Sequence, residues 1–328
     1  MIELVAQSEA MREVLRLAER VAATDANVLI TGESGAGKDA LAQFVHAHSK
    51  RAAKDLVKID CASLPKDLLE AEIFGYERGA FTGAIEAKPG RFESAHKGTL
   101  LLDEIAHLTI DAQAKLLRVI ERKEFERLGG KRTINVDARL IVLTNVDLED
   151  AVRRKSFRED LFYRLNVVHL RVPPLRKRRE DVEALAQKFL RAYADKHGRK
   201  ASDFSSTALV TLTKYDFPGN VRELANAIER ACIVAAGAKI EHEDLPESLC
   251  AAVAIKERTT MRLTLAELEK EYVKETLVLT KGNKSEAARL LGISRKNLYE
   301  KLARYEKVVS GQRSVVGDEL DEKQATNR

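Results

Sequence analysis

The chain has 328 residues, enough for two or three domains with separate cores. Its 45% hydrophobic and 33% charged content is that of a globular protein with an ion-paired surface, and a net charge of only +5 excludes a simple polyanion binder. No apolar run approaches the ~18 residues needed to span a bilayer. The start, Met1-Ile2-Glu3-Leu4, lacks the basic and apolar regions of a leader, so a cytoplasmic protein with no membrane partner is expected.

Taken in chain order, residues 8–24 carry apolar side chains at helical spacing. Residues 27–31 form a short apolar strand, and a helix is expected from Lys38 to His48. Further strands are expected at 56–60, 98–104 and 137–144. Near-continuous apolar strands alternating with helices predict an α/β fold with a parallel sheet covered on both faces. The texture changes at Pro173-Pro174. Residues 173–248 read as a helical lid, 249–264 as a linker, 265–308 as a third, all-helical unit, and 309–328 as a polar tail without fixed structure. Cys61, Cys232 and Cys250 are far apart, with no CxxC pair, so they read as reduced thiols rather than a zinc site or disulfides. His46 and His48, two apart on a helix, point to different faces and are expected at the surface.

The chemistry concentrates in three stretches of the first 172 residues. Gly32-Glu33-Ser34-Gly35-Ala36-Gly37-Lys38 follows a strand and opens a helix. That arrangement turns backbone N–H groups and a helix N-terminus toward phosphate, with Lys38 reaching the outer phosphates. The next residue, Asp39, stands where such loops usually carry a hydroxyl for magnesium. The strand Leu100-Leu101-Leu102 ends in Asp103 and Glu104, placed to hold Mg²⁺ and to activate a water, respectively. Taken alone, the loop leaves open a glycine-rich turn and the acids an acidic helix start. Together they point to ATP and Mg²⁺. Between them lies Gly79-Ala80-Phe81-Thr82-Gly83-Ala84, poor core material with no obvious ATP ligand. Its position suggests a loop that the nucleotide site moves against a partner.

The third unit reads as a helix-turn-helix over 281–302. Ala287, Ala288, Leu290 and Leu291 pack its first helix, Gly292 permits the turn, Ile293 is buried and Ser294 caps the second helix. Arg295, Lys296 and Asn297 then occupy the first turn of that helix, where base edges are reached, with Tyr299 and Lys301 following. Residues 281–307 hold eight basic and three acidic side chains, a surplus of five.

These motifs closely resemble the AAA+ domain of bacterial enhancer-binding proteins, the ATPases that activate the sigma-54 form of RNA polymerase. The match also includes Thr144-Asn145, the stretch Phe157 to Asn166, Pro173-Pro174-Leu175-Arg176 and Phe217 to Leu224, all in order over residues 6–248. The resemblance implies an AAA+ P-loop sheet with a helical lid and a Fis-type helix-turn-helix. It implies that Thr144 and Asn145 read the γ-phosphate, that Arg158 and Arg164 are presented to a neighbouring subunit's nucleotide, and that Arg222 closes on the phosphates from the lid. It further implies that Phe81 and Thr82 contact sigma-54, that the chain assembles as a ring, usually a hexamer, and that the C-terminal unit dimerises on enhancer DNA.

One departure concerns Asp60, where the family usually carries an asparagine that restrains the catalytic glutamate. Two close carboxylates repel, so Glu104 is expected to be less restrained or more readily protonated. Family members also usually carry an N-terminal sensory domain. Here the match begins within ten residues, as in phage-shock-type activators restrained by a separate regulatory protein or in a chain from which such a domain was removed. Two other readings compete with the activator: a DNA-binding regulator that uses nucleotide only as a ligand, and a replication-initiator or helicase-loader ATPase.

Overall fold

The computed structural model describes residues 4–260 and 265–305. The tail expected at 309–328 lies outside them. The described chain forms two compact units, divided after Val253.

The first unit is built on a five-stranded parallel sheet. Its strands are β1 (Val28–Thr31), β2 (Leu56–Asp60), β3 (Thr99–Asp103), β4 (Arg139–Thr144) and β5 (Val168–Arg171), in the order β2-β3-β4-β1-β5. Alternate residues serve opposite faces. Leu100, Leu102, Leu140 and Val142 enter one core, while Leu101, Ile141 and Leu143 enter the other. This double coverage is why β3 and β4 read as unbroken apolar runs. The edge strand β5 has no such run, because half of Val168-His169-Leu170-Arg171 faces outward, and the sequence reading passed over it.

Helix Glu9–Ala22 starts at Ser8, whose side chain accepts the Met11 N–H. At its other end Arg139, 1% exposed, donates to the carbonyls of Val21, Ala22 and Ala26. A cation there complements the helix dipole. His46 departs from the surface expectation. Helix Lys38–Ala47 lies so close on the sheet that His46 is buried and hydrogen-bonds Thr99 Oγ1 at 3.0 Å. His48 stays exposed and packs its ring on Phe44.

The lid packs helices Glu180–His197, Ser206–Lys214 and Asn220–Val234 around Leu190, Leu212, Phe217, Leu224 and Ile228. A short parallel pair, Asp203–Phe204 with Lys239–Ile240, interrupts a stretch expected to be helical apart from breaks near Gly198 and at Pro218-Gly219. Residues 249–260, expected as linker, belong to helix Glu247–Thr260, with Leu249 and Val253 in the lid core. Small and polar residues around those two anchors hide the helical period.

The second unit contains helices Leu265–Leu279 and Lys284–Leu290 and a helix over residues 295–305. Val273, Ala287, Ala288 and Leu298 form its core, with Leu277, Leu291, Ile293 and Leu302 packed against it. Leu290 is not among them: it is 53% exposed.

Candidate nucleotide site and effector surfaces

The glycine loop runs from the end of β1 into helix Lys38–Ala47. Gly35 has φ +72°, and a Cβ there would lie 2.4 Å from the Gly219 carbonyl oxygen, so the lid backbone closes on a position only glycine can fill. Gly37, at φ +104°, begins the helix. Lys38 is buried and curls back across the loop. Its Nζ donates to the carbonyls of Gly32 (2.9 Å) and Glu33 (3.3 Å) and lies 3.9 Å from Glu104 Oε1. Burial pulls its pKa down, and the nearby Glu104 and Asp103 oppose that.

Glu104 lies just past β3 in left-handed conformation, φ 52° and ψ 51°. A non-glycine residue held there stores strain of about 1–3 kcal/mol, a state that clusters at functional sites. Its Oε2 accepts the Asn145 backbone N–H at 3.1 Å. Thr144 is fully buried, and its Oγ1 accepts the Val146 N–H, which shapes the same turn. Asp60 and Asp103 are register partners at the ends of β2 and β3. The Asp60 carboxylate accepts the Ala62 N–H at 2.9 Å, so the contacts that hold Glu104 come from Asn145 and Lys38. Cys61 donates its N–H to the Asp103 carbonyl, and burial, aided by Asp60, Asp103 and Glu104, pushes its thiol up to about 12.

One participant was missed from sequence. Lys58, on β2, places Nζ 2.5 Å from Asp39 Oδ1 and 3.1 Å from Asp103 Oδ2. Burial works against its charge, but the bonds to Asp39 and Asp103 outweigh it and raise its pKa. The signal was present, since a lysine in an otherwise apolar strand, two residues before its end, needs a partner.

The lid grips the loop through a second network that the sequence did not expose. Arg176 bonds both carboxylate oxygens of Glu33, at 2.7 and 2.5 Å. Asn220, fully buried at φ 55°, donates to Glu33 Oε2 and the Ser34 carbonyl and accepts the Leu175 N–H. Arg176 and Asn220 together hold the Glu33 pKa down to about 2. Buried Arg178 donates to the Ala36 carbonyl at 2.5 Å. Arg222 Nη1 donates to Ser34 Oγ at 3.0 Å, which places this lid arginine on the loop itself.

The side chains of Arg158 and Arg164, at the two ends of helix Glu159–Leu165, pair with other carboxylates. Arg158 is paired with Asp160 at 2.7 and 3.0 Å, and its backbone N–H is anchored by buried Gln113. Arg164, 61% exposed, pairs with Glu121 at 3.1 Å.

The hexapeptide forms a compact turn, in which Gly79 N–H donates to the Ala84 carbonyl and Ala84 N–H to the Phe81 carbonyl. Gly79 (φ +82°) and Gly83 (φ +106°) make this path possible. Ala80 is half-buried and Ala84 buried, whereas Thr82 is exposed. Phe81 packs edge-on against Tyr76, yet remains 38% exposed, and neighbouring Ile85 is 78% exposed. The loop springs from a hairpin, Gly75–Tyr76 with Lys88–Pro89. It rests on a second hairpin, Glu124–Glu126 with Thr133–Asn135, through mutual hydrogen bonds with Leu128.

In the C-terminal unit, Gly292 takes φ +66° and Ser294 Oγ accepts the Asn297 N–H at 3.2 Å, so turn and cap form as expected. Arg295, Lys296, Asn297 and Tyr299 are exposed, with Lys284 Nζ 4.8 Å from the Tyr299 ring centroid. Lys301 differs: it pairs with Glu269 of helix Leu265–Leu279 and is half-buried.

Comparison with known proteins agrees with this arrangement. The Sigma-54 interaction domain family matches residues 4–171, the AAA+ ATPase lid domain 176–261, and the Fis family of bacterial regulatory proteins 264–305. The regulatory protein AtoC of Escherichia coli is 45% identical over 310 residues, covering 92% of this chain and 67% of AtoC. The transcriptional regulatory protein FlbD of Caulobacter vibrioides is 42% identical over 318 residues, covering 92% and 70%. A crystal structure of NtrX from Brucella abortus in complex with ATP superposes with a TM-score of 0.72 at 36% identity, covering 92% of this chain and 69% of that one. Similarity throughout both units leaves one assignment: the chain belongs to the sigma-54-dependent, AAA+ family of bacterial transcriptional regulators with a Fis-type DNA-binding unit.

Proposed function

We propose that the chain is a transcriptional activator that binds enhancer DNA and spends ATP hydrolysis on remodelling the closed complex of sigma-54 RNA polymerase. ATP binding, ATPase activity and sigma-54-dependent activation follow from its family. The mechanical coupling is the proposal. The observation that carries it is the arrangement of strand ends and loop. Asp60 and Asp103 end adjacent strands, and the chain leaving β2 enters helix Lys66–Phe74 and then the exposed Phe81–Thr82 turn. A change in charge at the phosphates therefore lies one helix away from the loop.

In this reading the loop N–H groups and Lys38 hold the phosphates, and Arg222 follows them from the lid. Glu104 accepts the proton of the attacking water, and Asn145 keeps Glu104 in register. Magnesium fits the donors present. Asp103 offers hard carboxylate oxygens beside the phosphate loop, and its pairing with the Lys58 ammonium supports a cation at this place. Mg²⁺ needs only one or two carboxylates beside nucleotide phosphates, and when bound it would neutralise phosphate charge. Arg158, half-buried, and Arg164, exposed, have side chains paired with the surface carboxylates Asp160 and Glu121 and are offered to the nucleotide of a neighbouring copy in a ring. Such a ring would be a hexamer, with enhancer DNA read by Ser294, Arg295, Lys296, Asn297 and Tyr299.

Phe81→Ala and Thr82→Ala test the coupling. Both should hydrolyse ATP at near wild-type rates but fail to retain sigma-54 in the presence of ADP and aluminium fluoride. Retention at wild-type levels by both variants would contradict the assigned loop role.

A further inference from the structure

We infer that Lys58 is a built-in counter-cation that competes with magnesium for Asp103 and so sets the metal concentration at which nucleotide is taken up. The inference rests on the reading that Asp103 holds the metal. Three observations support it. Lys58 Nζ contacts Asp39 Oδ1 and Asp103 Oδ2 at once, at 2.5 and 3.1 Å. Asp39 occupies the place after the loop lysine and Asp103 the end of β3, so the ammonium joins an acid of the helix that follows the phosphate loop to an acid at a strand end. Asp103 is mostly shielded, its side chain 16% exposed, whereas Lys58 is 40% exposed and able to swing outward.

The electrostatics give the direction. An arriving divalent ion must displace an ammonium from Asp103 or share the carboxylate with it, and like charges within a few ångströms repel strongly where water is scarce. Lys58 keeps Asp39 as a partner when it releases Asp103, so the exchange leaves no unpaired charge behind. Asp39 thereby acts as the resting place of the displaced lysine, a role a serine or threonine hydroxyl could not fill as well.

The experiment measures binding of a fluorescent, non-hydrolysable ATP analogue to the full chain while free Mg²⁺ is varied. The readout is the Mg²⁺ concentration at half-maximal binding, which does not depend on turnover. Lys58→Met, uncharged and of similar length, should lower that midpoint about five- to tenfold, whereas Lys58→Arg should stay within about twofold of wild type. Mn²⁺ binding followed by electron paramagnetic resonance should show the same order. An unchanged or raised midpoint in Lys58→Met, with Lys58→Arg normal, would overturn the inference, because the ammonium would then be a spectator or an organiser of Asp103. Asp103→Asn separates the two levels. If it leaves the midpoint unchanged, the metal reading of Asp103 fails. If it raises the midpoint while Lys58→Met does not lower it, the Lys58 inference fails alone.

Discussion

Glu104 is the residue whose geometry says most. It is held in left-handed conformation at the end of a buried strand, with one carboxylate oxygen on a backbone N–H and the other near a buried lysine. On the proposed reading that combination would point a base at a fixed spot at some cost in strain. Glu104→Gln preserves shape and hydrogen bonding but removes the base. Its hydrolysis rate should fall about 10²–10⁴-fold while ATP binding survives, measured by phosphate release against equilibrium binding. Asp60 carries a subtler expectation. Its carboxylate is engaged with Ala62 rather than with Glu104. An asparagine there has an amide N–H to offer the glutamate, so Asp60→Asn should slow basal hydrolysis by about fivefold, the equivalent of one net hydrogen bond. The same rate and pH profile in both forms would remove Asp60 from the account. The motif residues were legible because each has a fixed spacing to a strand end. Lys58 was not, since its meaning depends on Asp39 and Asp103, brought to it only by sheet register.

At the scale of elements, the junction between loop and lid depends on Glu33. Its carboxylate is shared by Arg176 and Asn220, and its pKa is lowered from the ordinary 4.5 to about 2. A depressed carboxylate stabilises the fold fully above its unfolded pKa and loses that contribution as pH falls through the folded value. Wild type should therefore exceed Glu33→Gln in stability at neutral pH, and the gap should close between about pH 4.5 and 2, read by urea titration at each pH. A gap independent of pH would mean that the ion pair with Arg176 contributes nothing. Element order was largely readable, because two-sided burial writes itself as apolar runs in β3 and β4. The edge strand β5, the second hairpin at Glu124–Asn135 and the helix from Glu247 were not. Each presents only one or two anchors, such as Leu249 and Val253, and their partners are distant in sequence.

The whole molecule carries an AAA+ sigma-54 interaction unit and a Fis-type DNA-binding unit, and the proposed function makes hydrolysis depend on more than one copy. On the proposed reading Glu104 would receive its arginine from a second copy, since Arg158 and Arg164 of its own chain are tied to Asp160 and Glu121 at the surface. A dispersed transition-state charge calls for such a cation, worth about 10³–10⁵ in rate where nucleotide hydrolases receive one in trans. On that reading the unit of function would be the assembly, a property that no spacing of residues within one sequence records. The decisive measurement is the ATPase rate per subunit against protein concentration, for wild type and Arg164→Ala. The account predicts a wild-type rate that rises with concentration to a plateau, and an Arg164→Ala rate that stays at the low-concentration baseline although ATP still binds. A rate per subunit independent of concentration, or full hydrolysis without Arg164, would contradict it.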